Sequence, residues 1–346
     1  MQECLSASRK IEGQSKHNPA YTFLLFDILR SCWQRCNRHK QRFAGAGTFA
    51  FGTLPCRRAQ LPRRVRVLAT IVTHPVPLAL DHLTVVDTTP SELVSVASAV
   101  GCQAVCMFLE PMAVLPLMPH FSLHGITPEA RETRARMDDL GVGLDLAYPF
   151  TLAGRTELAA FRPALETAAW LGARAVNVLL YDRDPIRRFD NFAAFCAMSK
   201  AYGLDVAVEF YPPSQLPTLE AALALVCRQN EPGRVGVNVD LLHLMRSGGS
   251  LAALSAAPAP FLRYAQYCDA PLSGPPTGMS VDEEASAHRQ LPGAGEFDLA
   301  GFAACLPAGL AASVEVPRND AVLAGVPRLT RARQAVDSTR RQITPD

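Results

Sequence analysis

The chain has 346 residues, enough for one large α/β barrel or two smaller domains. Hydrophobic residues make up 49% of it and charged residues 19%, so it can bury a large core, and no apolar run approaches the ~18 residues that would cross a bilayer. Its ten scattered cysteines, mostly in apolar stretches, are typical of reduced core thiols, and we therefore expect a cytoplasmic protein.

Charge is distributed unevenly along the chain. Residues 1–66 carry 13 Lys or Arg against 3 Asp or Glu, whereas the remainder is acidic. Such a basic segment can bind nucleic acid or an anionic membrane, but this one shows no sustained periodicity. We predict instead that residues 1–75 form a basic N-terminal extension that is disordered or not native, and that residues 76–346 form the folded domain.

From about residue 78, strand-like apolar runs alternate with helical patterns. We predict eight strands, over residues 80–86, 103–109, 142–146, 175–181, 204–210, 235–240, 261–268 and 312–316. Helices are predicted between them, over residues 90–100, 127–140, 156–171, 187–202, 217–229, 248–256, 298–305 and 320–341, with a loop at 273–296. This alternation favours a (β/α)8 TIM barrel, and no Gly-x-Gly-x-x-Gly follows a strand, as a dinucleotide-binding open sheet would require.

Polar side chains stand near the predicted C-terminal ends of strands five to eight: Glu209, Asp240, Gln266 and Glu315. In a barrel these ends meet at one mouth. Three carboxylates would repel one another there without a cation, and together with one amide oxygen they suit a single divalent ion such as Mn²⁺ or Mg²⁺, with Zn²⁺ or Co²⁺ as alternatives. Each residue also has a structural explanation; Asp240, for example, could simply cap the next helix.

Five further residues are candidates for binding a substrate: His82, His243, Arg246, Asp269 and Arg289. His243 would contact a substrate hydroxyl or pack in the core. Arg289, beside a Pro-Gly turn, would bind a carboxylate or phosphate, or form a salt bridge to Asp269 or Glu284. Arg246 could equally be a charge on a helix surface, and His82 a structural residue low in the barrel.

The chain resembles the xylose isomerase-like TIM barrels, the sugar phosphate isomerase/epimerase group that also includes dehydratases and endonuclease IV. The resemblance runs from about Leu78 to Arg341 and rests on Leu80-Asp-His-Leu-Thr, Ala169-Trp-Leu-Gly-Ala, Glu209-Phe-Tyr-Pro, Asp240-Leu-Leu-His, Gln266-Tyr-Cys-Asp-Ala-Pro, Arg289-Gln-Leu-Pro-Gly-Ala-Gly and Val314-Glu-Val-Pro. That family holds its metal with Glu, Asp, His and Glu from four strand ends. The resemblance therefore implies that Glu209, Asp240 and Glu315 are ligands and that Gln266 replaces the usual His.

The resemblance also implies an activity. An isomerase or epimerase would move a proton next to a carbonyl through an enediolate, with Glu209 and Glu315 as the catalytic acid and base. A dehydratase or lyase acting on a keto-polyol or sugar acid is the alternative, since the same intermediate can expel a hydroxyl. A non-catalytic sugar-binding barrel is a third alternative, because Gln266 stands where the family usually has a metal-binding His. The expected partner is a small sugar or polyol, and a homo-oligomer is left open.

Two other classes of barrel are disfavoured. Lys200 is the only lysine after residue 40 and lies on a predicted helix, whereas a Schiff-base aldolase needs a lysine inside its barrel. An endonuclease IV relative would want basic residues around its mouth to hold DNA phosphates, and more His ligands for its zinc ions. We therefore expect neither nucleic acid nor a membrane among the partners.

Overall fold

The computed structural model describes residues 77–344. Within this range eight parallel strands form a closed barrel in chain order, and β1 pairs with β8 to close it. The strands are β1 Ala79–Asp81, β2 Ala104–Phe108, β3 Gly143–Leu152, β4 Ala175–Leu180, β5 Asp205–Glu209, β6 Val235–Asp240, β7 Leu262–Tyr267 and β8 Ala312–Val314. The predicted (β/α)8 barrel is confirmed. The prediction for residues 1–75 lies outside the described residues and stays a prediction.

Helices follow the strands and cover the barrel. They are Pro90–Ala99, Pro128–Leu140, Arg162–Leu171, Pro185–Ala201, Leu219–Gln229, Leu241–Arg246, Leu251–Ser255, Val281–Ala287, Leu299–Cys305, Asn319–Leu323 and Arg328–Ile343. Three of them begin at a Thr-Pro or Asp-Pro pair, in which the side chain of Thr89, Thr127 or Asp184 accepts a hydrogen bond from a backbone N–H of the first turn. Among the described helices, none has the length and apolar character needed to span a membrane.

The alternation of side chains along β6 explains how strands position the site. Val235, Val237 and Val239 belong to the apolar layer between strands and helices. Asn238 and Asp240 therefore point into the barrel, because successive side chains of a strand point to opposite faces. The same period of two places one polar side chain each from β4, β5 and β7 inside the barrel: Asn177, Glu209 and Gln266.

The first strand is shorter than predicted. β1 ends at Asp81, whose Oδ1 accepts a hydrogen bond from the backbone N–H of Leu83 over 2.9 Å. This bond starts a 3₁₀ turn, His82–Val85, in what was predicted to be strand. His82 therefore follows the strand instead of lying within it.

Two other predictions are corrected near the C-terminus. The predicted loop at 273–296 contains the helix Val281–Ala287, which Ser280 caps and whose first turn is rich in acidic residues, as the positive end of the helix dipole favours. The predicted last helix is two helices, Asn319–Leu323 and Arg328–Ile343. Pro327 separates them, because proline has no backbone N–H to donate within a helix and disfavours helical geometry at the residue before it.

Candidate active site

Four polar side chains converge at the C-terminal end of the barrel. Glu209 ends β5, Asp240 ends β6, Gln266 lies on β7, and Glu315 follows β8 directly. All four are buried, and Asp240 is fully enclosed. The end of a TIM barrel at which these side chains meet is the end where such folds place their chemistry.

A cavity of about 410 Å³ opens above these residues. Both polar and apolar side chains line it. The polar ones include Asn177, Glu209, His243, Gln266, Arg289 and Glu315. The apolar ones include Leu83, Phe108, Met112, Leu115, Phe150 and Leu179. The cavity is large enough for a molecule of sugar size and offers both hydrogen-bonding and apolar contacts.

Glu209 and His243 form a buried pair on one wall of the cavity. His243 Nε2 lies 3.3 Å from Glu209 Oε1, and the imidazole packs against the ring of Tyr211 with 4.7 Å between ring centroids. The other carboxylate oxygen, Glu209 Oε2, accepts a hydrogen bond from Asn177 Nδ2 over 2.5 Å. His243 Nδ1 is buried without a hydrogen-bond partner. The carboxylate is thus held by two partners, and the imidazole is held at one nitrogen only.

Arg289 is the counterion of two carboxyl groups at the floor of the cavity. Its Nη1 lies 2.5 Å from Asp240 Oδ2 and 3.2 Å from Glu315 Oε2. Its Nε donates to the backbone oxygen of Ala285 over 2.9 Å. The second oxygen of Asp240, Oδ1, accepts from the backbone N–H of His243 over 3.0 Å. Asp240 therefore caps the helix Leu241–Arg246 with one oxygen and pairs with Arg289 through the other.

Burial and neighbouring charges shift the two carboxyl groups in opposite directions. Burial opposes charge on Asp240, but the charges of Arg289 and His243 outweigh it and hold the pKa of Asp240 below its ordinary value. Burial raises the pKa of Glu315 well above its usual range; Arg289 opposes this rise, and the carboxyls of Asp81 and Asp240 add to it. The site therefore favours one charged and one neutral carboxyl group unless more positive charge is supplied.

The donor set fits a divalent cation. Glu209, Asp240 and Glu315 bring three acidic groups to a buried site where Arg289 is the neighbouring arginine, so a dication would complete the charge balance. Glu315 Oε2 is buried and makes no well-aligned hydrogen bond; its contact with Arg289 Nη1, at 3.2 Å, is an ion pair that leaves its hydrogen-bonding capacity unused. One ligand atom each from Glu209, Asp240 and His243 lies within 4.8 Å of the others. His243 thus joins the predicted ligands as a possible nitrogen donor.

A sequence model of the family described as "Xylose isomerase-like TIM barrel" matches residues 94–342, most of the chain. The chain belongs to the xylose isomerase-like TIM barrel family. No curated protein matches the sequence. The family resemblance inferred from the strand-end motifs is therefore confirmed, and the match covers every strand from β2 to β8.

Solved structures of this family and of related proteins share the fold. A xylose isomerase-like TIM barrel/4-hydroxyphenylpyruvate dioxygenase fusion protein superposes with a TM-score of 0.62 at 21% identity, over 77% of this chain and 42% of its own. The IOLI protein with a binding zinc atom gives 0.61 at 18%, over 78% and 100%. The probable 3-DHS dehydratase AsbF of Bacillus anthracis gives 0.57 at 13%, over 76% and 98%. The chain thus spans less than half of the fusion protein, and at these identities the likeness shows the fold alone.

Asp269, a predicted substrate contact, holds a loop of this xylose isomerase-like barrel instead. Its Oδ1 accepts hydrogen bonds from the backbone N–H groups of Ala270 and Phe297, and its Oδ2 from those of Gly293 and Gly295, at 2.8 to 3.0 Å. Asp269 is 1% exposed and does not line the cavity. Its carboxylate is saturated by N–H donors, so the structure gives it a positioning role for the loop that carries Arg-x-x-Pro-Gly-x-Gly.

Arg246 and His82 also lie outside the cavity lining. Arg246 forms a buried two-pronged ion pair with Glu284, with N–O distances of 2.6 and 2.7 Å. His82 Nε2 donates to the backbone oxygen of Thr88 over 2.9 Å, and its Nδ1 accepts from the backbone N–H of Phe108 over 3.3 Å. Both ring nitrogens of His82 are thus used within the protein. These contacts within the protein account for both side chains, and the predicted substrate contacts of Arg246 and His82 stay predictions.

The structure adds polar residues that the sequence analysis did not single out. Asn177 and Asn238 lie inside the barrel, and Asp81 accepts a hydrogen bond from Tyr148 Oη. Burial raises the pKa of Asp81 to about 7, against the opposing bond from Tyr148. The available signal was a single polar residue within an apolar strand, as in Val-Asn-Val of both β4 and β6. Tyr211 also donates a hydrogen bond to Asp282, which joins the two sides of the cavity mouth.

Proposed function

We propose that the protein is a metal-dependent enzyme that removes a proton from the carbon next to a carbonyl group of a small hydroxylated substrate. The observation that carries the proposal is that Glu209 and Glu315 line a cavity beside the buried Asp240, and that the neighbouring arginine, Arg289, is already paired. An isomerase or epimerase returns that proton to the substrate. Membership of the xylose isomerase-like family supports this reading.

The proposed ligands are Glu209, Asp240, Gln266 and Glu315. Three carboxylates and an amide oxygen form a set of hard oxygen donors, which suits Mn²⁺ or Mg²⁺. The closeness of His243 to Glu209 and Asp240 supports Zn²⁺ or Co²⁺ as alternatives. One structural neighbour, the IOLI protein, has a zinc atom bound. A bound dication would draw electrons from the substrate carbonyl and so stabilise negative charge on its oxygen.

The side chains of the chain supply the proton transfer. Glu209 lines the cavity and is oriented by Asn177, which leaves Oε1 facing His243 and the cavity. Glu315 follows β8 and lines the cavity as well, so a second carboxyl group can reach the substrate. We propose that one carboxyl removes the proton and the other returns it.

The cavity favours an unphosphorylated substrate. Among the residues that line it, Arg289 and His243 carry the cationic or potentially cationic groups, and Arg289 is committed to Asp240 and Glu315. A phosphate group would need charge-assisted donors of its own. The apolar wall suits the carbon skeleton of a compact substrate, so a free sugar, polyol or hydroxy keto acid fits better than a sugar phosphate.

Dehydration is the second candidate, and His243 favours it. The imidazole lies beside the proposed base Glu209 and lines the cavity, where it can protonate a departing hydroxyl group. Loss of a β-hydroxyl after proton removal would then compete with return of the proton. A dehydratase among the structural neighbours supports this candidate at the level of the fold.

Deuterium exchange separates the candidate functions. The Mn²⁺-loaded protein is incubated in D₂O with a panel of ketopentoses, ketohexoses, hydroxy keto acids and 3-DHS, and the products are followed by NMR and mass spectrometry. Deuterium at the carbon next to the carbonyl with all oxygens retained indicates an isomerase or epimerase. Loss of one water indicates a dehydratase. Binding of a panel member without exchange or product indicates a non-catalytic sugar-binding barrel and overturns the proposal.

A further inference from the structure

A chain of buried amide groups runs beneath the cavity and connects two of the proposed ligands. Asn177 Nδ2 donates to Glu209 Oε2 over 2.5 Å, and Asn238 Nδ2 donates to Asn177 Oδ1 over 3.2 Å. Asn238 Nδ2 also donates to Gln266 Oε1 over 2.5 Å. Side chains from β4, β5, β6 and β7 are thus joined across the barrel interior.

Asp81 on β1 ends this chain. Gln266 Nε2 donates to Asp81 Oδ2 over 3.3 Å, and the hydroxyl of Tyr148 donates to the same oxygen. The other oxygen, Asp81 Oδ1, accepts from the backbone N–H of Leu83 over 2.9 Å. Asp81 and Gln266 are 0% and 1% exposed, so bulk water does not compete for these bonds.

The two ends of a glutamine amide differ in what they can bind. The oxygen has two lone pairs and can coordinate a cation, whereas the NH₂ group can only donate and would repel one. Asn238 uses one lone pair of Gln266 Oε1, which leaves the second for a ligand in the cavity. The orientation of this amide therefore decides whether Gln266 serves as a ligand.

We propose that Asp81 is a positioning residue that binds the amide nitrogen of Gln266 and thereby turns the amide oxygen toward the metal site. The inference rests on the proposed function, because it concerns one ligand of the proposed metal. It explains why a carboxylate stands at the end of β1. A residue that only capped the turn at Leu83 would need one acceptor oxygen, whereas Asp81 uses both.

The substitution Asp81→Asn tests the proposal with little change in shape. The bond from Leu83 retains the remaining oxygen, so the new amide nitrogen faces Gln266 Nε2. Gln266 must then rotate its amide and present NH₂ to the metal site. Partners behind a metal ligand typically contribute 10–100-fold to metal affinity, so we expect Mn²⁺ to bind about tenfold or more weakly.

The double variant Asp81→Asn/Gln266→Glu separates orientation from general damage. A carboxylate has two equivalent oxygens, so its orientation cannot be wrong, and the new amide of position 81 can donate to it. We expect Asp81→Asn to cost no Mn²⁺ affinity in the Gln266→Glu background. Asp145→Asn is the matched control, since Asp145 is a buried β3 carboxyl that Tyr264 bonds at the opposite end of the barrel. It should leave Mn²⁺ affinity unchanged.

Mn²⁺ dissociation constants are measured by calorimetry on metal-stripped full-length protein, with thermal midpoints recorded before metal is added. The proposal is supported if Asp81→Asn weakens Mn²⁺ binding when position 266 is Gln but not when it is Glu. Equal affinity of Asp81→Asn and the unsubstituted protein, or an equal loss in both backgrounds, overturns it while the proposed function stands. Absence of saturable binding of Mn²⁺, Mg²⁺ and Zn²⁺ by the unsubstituted protein overturns both. If Asp81→Asn does not fold, Asp81→Ser, which removes the acceptor for Gln266 Nε2 but keeps an oxygen for the backbone N–H of Leu83, carries the same expectation in both backgrounds.

Discussion

Arg289 Nη1 lies 2.5 Å from Asp240 Oδ2, and both side chains are buried at the floor of the cavity. The two residues come from distant parts of the chain, Asp240 from the end of β6 and Arg289 from the segment after the helix Val281–Ala287. This ion pair keeps Asp240 charged and uses the single positive charge of Arg289, so Glu315 can ionise beside it only if more positive charge is supplied. The imbalance is the physical basis for expecting a divalent cation.

Replacement of Arg289 by methionine should make folding depend on metal. Removing one partner of a buried ion pair typically costs about 3 to 5 kcal/mol, because the remaining charge is left uncompensated. A dication at the site would supply that charge, so saturating Mn²⁺ should restore more stability to Arg289→Met than it adds to the unsubstituted protein. Urea denaturation with and without Mn²⁺ measures both effects.

Arg246→Met is the matched control for this experiment. Arg246 and Glu284 form another buried ion pair, at 2.6 Å, but neither belongs to the proposed ligands. We expect a similar loss of stability and no extra recovery in Mn²⁺. Equal recovery of the two variants would show that Mn²⁺ acts elsewhere and would argue against compensation at Asp240 and Glu315.

His243→Asn should separate proton removal from loss of a hydroxyl group. If His243 protonates the leaving hydroxyl, the rate of dehydration should fall by about 10² to 10⁴, the usual contribution of a general acid. Exchange of the substrate proton with D₂O should continue, because Glu209 remains. Parallel loss of both activities would instead place His243 in the metal site or in the proton-removal step.

Asp269→Asn should weaken the fold without weakening substrate binding. Four backbone N–H groups donate to the carboxylate, those of Ala270 and Phe297 to Oδ1 and those of Gly293 and Gly295 to Oδ2, and the change places an NH₂ group against one of these two pairs. Buried bonds to a charged acceptor are worth about 1.5 to 3 kcal/mol each, so we expect a loss of about 3 kcal/mol in the free energy of unfolding.

Asp298→Asn serves as the control for Asp269, because Asp298 accepts one such bond at an exposed helix start, where Asn caps about as well as Asp, so the free energy of unfolding should change little. Denaturant titration measures stability, and steady-state kinetics measures KM for the substrate found in the panel. A raised KM with unchanged stability in Asp269→Asn would instead support the substrate contact that the sequence predicts.

His82 should make the fold less stable in acid. Burial lowers the pKa of His82 from 6.5 to about 4, so between these values the unfolded chain binds a proton that the native protein does not. The free energy of unfolding therefore falls as the pH falls through this window, by up to about 3 kcal/mol. His82→Gln removes this titration, and its stability should change less between pH 7 and pH 4 in urea denaturation. Identical pH slopes for the two proteins would contradict the assignment.

The barrel and its strand-end residues could be predicted because their signals are local. The Val-x-Val pattern of β6 identifies a buried strand, and a carboxylate after it is an unusual way for such a strand to end. The register between strands could not be read in the same way. That Asn238 lies beside Glu209, and Asp240 beside Gln266, follows from pairing between segments far apart in sequence.

The partners of the buried charges were harder to predict for a related reason. The sequence offered Asp269 or Glu284 as salt-bridge partners of Arg289, and the structure pairs it with Asp240 and Glu315 instead. Glu284 is taken by Arg246, and Asp269 is saturated by backbone N–H groups. Which carboxylate Arg289 reaches depends on the fold of the segment around it. That segment contains the helix Val281–Ala287, which the sequence did not predict.

The central claim is that this cavity binds one divalent ion through carboxylates of β5, β6 and β8. Calorimetric titration of metal-stripped protein with Mn²⁺ tests it most directly. We expect saturation at one ion per chain, an affinity lower by about tenfold or more in Glu315→Gln and Asp240→Asn, and a smaller change in His243→Asn. Absence of saturable binding of Mn²⁺, Mg²⁺ and Zn²⁺, or affinities unchanged by the two carboxylate substitutions, would contradict the account.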